Sequence, residues 1–193
     1  ALLAGLIVDL AGDDPNNIII TLKPLLIYAI TVLVGLATMI FLFYPSILYF
    51  ITKIGYKNFF KAIFPAQMLA FSTSSSAATL PLTMKRVKKN LNVSEEVTSF
   101  VCPLGATINM DGTSIHQAIS AVFIAQAFGQ DLTIADQLVI IVTATLSSIG
   151  AAAVPGAGLI MLVIVLGAVG IDPQGLALII AIDRPLDMCR TIV

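Results

Sequence analysis

Long apolar stretches alternate with short polar breaks along this chain, and the breaks are of two kinds. Those at 12–17 (GDDPNN), 129–131 (GQD) and 170–175 (GIDPQG) hold no Lys or Arg. The others hold most of the positive charge: Lys53, Lys57, Lys61, Lys85, Arg86, Lys88 and Lys89 are seven of the chain's ten Lys and Arg residues. Several apolar stretches exceed the roughly 18 to 20 residues that a helix needs to cross a bilayer. Positive flanks belong on the cytoplasmic side, so the uncharged breaks belong outside.

Two segments do not fit a simple crossing. Residues 62–84, AIFPAQMLAFSTSSSAATLPLTM, are flanked by positive charge on both sides, and their centre is small and hydroxyl-rich. The pattern predicts a re-entrant helical hairpin over about 58–89, entering from inside. A single kinked span is the alternative, because membrane helices tolerate Pro and Gly. Residues 133–170 show the same arrangement with neither flank positive, and SSIGAAAVPGAG (147–158) divides them into two arms. The first arm, Thr133 to Leu146, is about 21 Å long at 1.5 Å per residue. It stops short of a hydrocarbon core about 30 Å thick. A second hairpin entering from outside follows, with two full spans as the alternative.

The remaining pattern predicts the tail of one helix over 1–10 and a long span over about 24–54, bent near Pro45. A further helix runs over about 94–128, with Ser94 as N-cap and Glu95 and Glu96 in its first turn. A partial last helix occupies about 174–193. The expected fold is therefore an all-α membrane protein in which a re-entrant hairpin plus a transmembrane helix occurs twice, in inverted orientation. Inverted repeats with broken helices at mid-membrane mark secondary transporters.

Composition agrees. Of 193 residues, 58 % are hydrophobic and 11 % charged, with a mean hydropathy of +1.01. Soluble domains carry about 25 % charged residues. Net charge is −1, and no basic patch interleaves with aromatics, which argues against a nucleic-acid partner. Cys102 and Cys189 show neither metal-ligand spacing nor a disulfide framework. The chain opens on ALLAGLIVDL without a start Met and stops at CRTIV inside an apolar run. Those ends suggest a piece of a longer polypeptide.

Charge inside the apolar segments locates the chemistry. Asp111 lies in PLGATINMDGT, where Pro103, Gly105 and Gly112 predict unwound backbone with free carbonyls. A lone carboxylate at the bilayer centre costs about 2.5–3.5 kcal/mol on insertion scales. A carboxylate, an Asn side chain and carbonyls form a hard-oxygen set that suits Na⁺ better than a transition metal. The alternative is a buried Asp bonded to a neighbouring helix. Asp183, Asp187 and Arg190 share one face of the last helix at i, i+4, i+7. That face could take the ammonium and carboxylate of an amino acid, or Arg190 could simply pair with Asp187. His116, with Ser74, Ser75 or Ser76 and Asp111, raises an intramembrane serine hydrolase as an alternative, although no strained nucleophile turn accompanies it.

SSSAATLP, PLGATINMDGT, SSIGAAAVPGAG and DMCRT, in this order and spacing, resemble the glutamate transporter family, the dicarboxylate/amino acid:cation symporters. The resemblance covers nearly the whole chain and corresponds to the second half of a family member. It implies a homotrimer in the plasma (cell inner) membrane, multi-pass, moving a transport domain against a static scaffold. It also implies sodium-coupled symport of acidic amino acids by alternating access, with a proton-coupled or C4-dicarboxylate symporter of the same family as the alternative. Residues 1–16 would be the end of a scaffold helix and an external loop, and 17–193 the transport domain.

The resemblance further implies that Ser74, Ser75 and Ser76 at the inner tip and Val154, Pro155, Gly156, Ala157 and Gly158 at the outer tip hold substrate. Thr113 and Arg190 would bind its side-chain carboxylate, Asp187 its amino group, and Thr191 would add a polar contact. Gly105 with Asn109 implies one sodium site, and Thr107 with Ser148, Ile149 and Ala151 a second. Asn109 with Asp111 implies part of a third. His116 departs from a common Tyr, and Gln117 from a proton-coupling Glu of animal members. Family members continue past the Val193 position with Asn-Val-Thr-Gly-Asp.

Overall fold

A computed structural model describes residues 15–52 and 54–193, with side chains from residue 22 onward. The helix tail expected at 1–10 lies outside the described residues. Helix α1 (Pro15–Thr38) runs through a π-helical turn, Met39–Phe43, into α2 (Tyr44–Ile51). Pro15 takes the first helical position, where its missing N–H costs nothing. The helix starts earlier than 24 because Pro24 is carried inside it. The π turn lies just before Pro45, where the sequence predicts a bend. Pro45 cannot donate to the carbonyl four residues back and its ring crowds it, so the turn before it widens. The stretch Leu22–Ile51, 30 residues containing an 18-residue window of mean hydropathy 2.6, is long and apolar enough to cross a membrane.

Two helix–turn–helix units follow. The first joins α3 (Tyr56–Thr73) to α4 (Ser76–Leu91) through Ser74 and Ser75 alone. Ser74 adopts a left-handed conformation, φ 52°, and ends α3. Ser75 is extended, and its hydroxyl accepts the Ala78 N–H at 3.2 Å as the N-cap of α4. The second hairpin joins α7 (Ile134–Ile149) to α8 (Ala157–Ala168) through a longer turn that closes on Gly156, φ 78°. A capping box between Thr133 and Asp136 starts α7. With 16 and 12 residues, α7 and α8 reach about 24 and 18 Å at 1.5 Å per residue, less than a bilayer core.

Between the hairpins, α5 (Glu95–Ile108) and α6 (Asp111–Ala127) are separated by Asn109 and Met110. The unwinding is narrower than the sequence predicts. Pro103 and Gly105 stay helical, and only the two residues before Asp111 leave the helix. Ser94 caps α5 as expected, its hydroxyl accepting from Val97 N–H. After a 3-10 turn at Pro173–Gly175, α9 spans Leu176–Arg190.

Helix α6 is the axis of the assembly and packs against α1, α7, α8 and α9. The apolar core between these helices holds Val32, Leu36, Ile124, Ile140, Leu162, Leu166 and Ile179. Large apolar side chains such as Phe41, Tyr49, Phe50, Phe100, Ile134 and Ile160 face outward. His116, Gln117, Asp183, Asp187 and Arg190 are buried. Apolar outside with charge inside suits a lipid or protein surround, where buried charges must be paired.

Candidate functional site

The two hairpin tips meet. Ser75 Oγ donates to the Ala153 carbonyl at 2.9 Å, and Ala77 N–H donates to the same oxygen at 3.1 Å. Residues 75 and 153 come from hairpins on opposite sides of the sequence, yet they share one carbonyl. Beside this junction lies a cavity of about 50 Å³. It is lined by Ser74, Ser76, Asn109, Asp111, Thr113, Ala151, Val154, Ala157, Gly158, Arg190 and Thr191, among others. A volume of that kind holds a few waters at about 10–15 Å³ each.

Sequence-predicted residues thus converge from both tips, from the α5–α6 break and from the end of α9. Of the outer-tip residues, Gly156 contributes its N–H, which donates to Asp187 Oδ2 at 2.9 Å. Val154 and Pro155 are exposed, and Pro155 does not line the cavity. Thr191 lines it while its hydroxyl donates to the Asp187 carbonyl at 2.7 Å.

Arg190 is buried and held from several directions. Its Nε donates to Asp187 Oδ1 at 2.8 Å, and Nη1 donates to His116 Nδ1 at 2.8 Å and to Asp183 Oδ1 at 3.4 Å. The internal pair with Asp187 is therefore formed. Nη2, by contrast, has no hydrogen-bond partner among the described residues. Leaving a buried donor unmet costs about 1–3 kcal/mol, and more when it is charged. The guanidinium lies against Gly158 and Thr113: a Cβ on Gly158 would sit 3.1 Å from Arg190 Cζ and 3.0 Å from Thr113 Cγ2. A side chain there would force one of these neighbours to shift by a few tenths of an ångström. Ser74 Oγ is also buried without a partner.

Asp111 opens α6, and one of its oxygens, Oδ2, accepts the Tyr44 hydroxyl at 2.7 Å. The last turn of α5 precedes it by two residues, and the last carbonyls of a helix are those left without intrahelical partners. Asp111, Asn109 and these carbonyls make an all-oxygen donor set that fits a hard monovalent cation and not a soft metal. Among the described residues no group of three or more His, Cys, Asp or Glu gathers as a metal site. Gly105 and Asn109 line a neighbouring cavity with Thr191 and Val193. The set Thr107, Ser148, Ile149 and Ala151 is only partly assembled. Thr107 is exposed and its hydroxyl donates to the Leu104 carbonyl at 3.0 Å, whereas Ser148 is buried and bonded to Ser114 Oγ at 2.6 Å. Ala151 is buried at the cavity and Ile149 is exposed.

Tyr28, Tyr44 and Ser114 escaped sequence reading. A tyrosine within an apolar helix carries one hydroxyl that must find a partner when buried, which is the only signal either offered. The hydrolase alternative finds no geometry: Ser75 Oγ donates to Ala153, and the side chains bonded to His116 are Tyr28, Asp183 and Arg190.

The model of the sodium:dicarboxylate symporter family matches residues 2–193. The chain belongs to that family. An excitatory amino acid transporter of Caenorhabditis elegans is 45 % identical over 171 residues, covering 89 % of this chain and 34 % of that protein. Excitatory amino acid transporter 5 of Homo sapiens is 42 % identical over 192 residues, covering 100 % of this chain and 33 % of its own length. Excitatory amino acid transporter 2 of Mus musculus is 45 % identical over 166 residues, covering 86 % of this chain and 29 % of itself. The chain thus spans about a third of the length of these relatives. The family is one of symporters, so the site reads as a binding site rather than a catalytic one.

Proposed function

We propose that this chain forms the substrate-carrying domain of a sodium-coupled symporter for acidic amino acids, aspartate or glutamate, in a multi-pass plasma-membrane protein. Arg190 carries the proposal. A guanidinium does not lose its proton in a protein, and its planar fork fits a carboxylate. Here Nε and Nη1 are committed to Asp187, His116 and Asp183, while Nη2 has no partner among the described residues, and the guanidinium carbon lies against Gly158. A substrate's side-chain carboxylate satisfies it. Asp187, one turn earlier, takes the ammonium group once Gly156 releases its Oδ2. Ser74, Ser75 and Ser76 with Val154 to Gly158 supply the main-chain carboxylate contacts, and Thr191 a further one.

Sodium is carried with the substrate. Asn109 and Asp111 with the carbonyls of the α5–α6 break form one oxygen-lined position, Gly105 with Asn109 contributes to another, and Thr107, Ser148, Ile149 and Ala151 to a third. Residue 107 must turn inward to join that last set.

The hairpins act as re-entrant gates in an inverted repeat. The lysine flanks on the first, their absence on the second, and the short arms of the second support this reading. The Ser75–Ala153 and Ala77–Ala153 bonds tie the two tips together beside the cavity, so opening the gates parts them. Alternating access then moves residues 17–193 as the transport domain, with residues 1–16 linking to a scaffold, in a homotrimer. The named activity of the relatives agrees. The test is radiolabelled aspartate uptake into liposomes by the full-length protein. Uptake driven by an inward sodium gradient is expected, and uptake indifferent to sodium would contradict the reading.

A further inference from the structure

We propose that His116 is the positioning residue that aims Arg190 into the cavity, and that it does so through one ring nitrogen in one tautomer. This rests on Arg190 being the group that receives the substrate's side-chain carboxylate.

The tautomer follows from the hydrogen bonds at both ends of the ring. At one end, Arg190 Nη1 lies 2.8 Å from His116 Nδ1. A guanidinium can only donate, so Nδ1 accepts and carries no proton. At the other end, Ser120 Oγ donates to the His116 backbone carbonyl at 2.7 Å, which uses its single proton. Ser120 Oγ therefore accepts from the Tyr28 hydroxyl at 2.8 Å. The Tyr28 oxygen, its own proton spent, accepts from His116 Nε2–H at 3.0 Å. Asp183 Oδ1, 3.3 Å from the same nitrogen, favours the proton there as well. Both ends give the same assignment: hydrogen on Nε2, lone pair on Nδ1.

The chain of bonds joins three helices. Tyr28 is on α1, His116 and Ser120 are one turn apart on α6, and Asp183 and Arg190 are on α9. His116 is 0 % exposed, so its ring cannot swing to another partner without unpacking the core. With Nδ1 holding Nη1 and Asp187 holding Nε, the plane of the guanidinium is fixed by two directions. Nη2 is the one nitrogen left for a ligand.

Two substitutions separate this role from packing. Asn places its amide oxygen where Nδ1 stands, whereas Gln reaches toward the Nε2 position. In full-length protein, His116→Asn should bind aspartate within about threefold of wild type. His116→Gln, which leaves Nη1 only its longer bond to Asp183, should lose at least about tenfold, the scale of a hydrogen bond to a charged group. Sodium binding in the absence of aspartate, read by thermal shift, should be unchanged in both, which shows that both fold. The proposal is overturned if Gln retains wild-type aspartate affinity, or if Asn and Gln lose affinity equally. Arg190→Thr, run alongside, keeps the two readings apart. If that variant still binds aspartate as wild type does, the assignment of Arg190 has failed; if it does not, a wild-type His116→Gln refutes the role of His116 alone.

Discussion

Adding one methyl group at Gly158 tests the geometry around Arg190 without touching any charge. A Cβ there would lie 3.0 Å from Thr113 Cγ2, 3.1 Å from Arg190 Cζ and 3.2 Å from Nη1. Such distances are a few tenths of an ångström too short, so a neighbour must yield. The guanidinium is poorly placed to yield, being fixed at 2.8 Å to both Asp187 and His116. Over-packing a well-filled site costs about 1–3 kcal/mol. If the methyl displaces the nitrogen that receives a carboxylate, Gly158→Ala should weaken aspartate binding by about 5- to 150-fold. Gly167→Ala is the control. It lies on the same helix with nothing within 4 Å of its Cβ position, so the change should be neutral or stabilising by up to about 1 kcal/mol. The assay is aspartate titration of full-length protein in saturating sodium, with the melting temperature measured in parallel. Wild-type affinity in Gly158→Ala would mean that no carboxylate docks on this face of Arg190.

The proposed cation site and gates give further expectations. Tyr44→Phe removes the hydroxyl that fixes one oxygen of Asp111, and a lost orienting partner typically costs tenfold or more in ion affinity, so the sodium titration should shift by about that factor. Asp111→Asn should weaken sodium binding further and, through linkage, aspartate binding with it; aspartate affinity unaffected by sodium removal would refute both. Cysteine at Ser75 should react with impermeant reagents mainly from the cytoplasm and cysteine at Ala153 mainly from outside, with aspartate protecting both. Labelling of both from one face would refute the inverted arrangement.

Much of the fold is written in residues with strong local effects. Lysines on both sides of 62–84 and none beside 133–170 mark the hairpins, and Ser74–Ser76 and Gly156 mark their turns. Pro45 marks the bend, through the carbonyl it crowds. The sequence overstated the break before Asp111, because Pro103 and Gly105 lower helix propensity without ending a helix held by its neighbours. What Asp111, Asp183, Asp187 and Arg190 share with the cavity was legible from charge in an apolar run. Their partners were not. Tyr44 is 67 residues from Asp111, and Tyr28 is 88 from His116, so no spacing rule could pair them. The motif groups Thr107 with Ser148, yet Thr107 sits on the outward face of α5, where helix rotation and not sequence order decides its direction.

Substrate class turns on Arg190, and the most direct measurement is competition among aspartate, succinate and serine on wild-type protein and Arg190→Thr. Wild type should prefer aspartate, since Arg190 asks for a second carboxylate and Asp187 for an ammonium. Arg190→Thr should lose aspartate and admit serine, with sodium dependence retained. Aspartate bound by Arg190→Thr at wild-type affinity, or all three ligands weakened equally, would contradict the role given to this side chain.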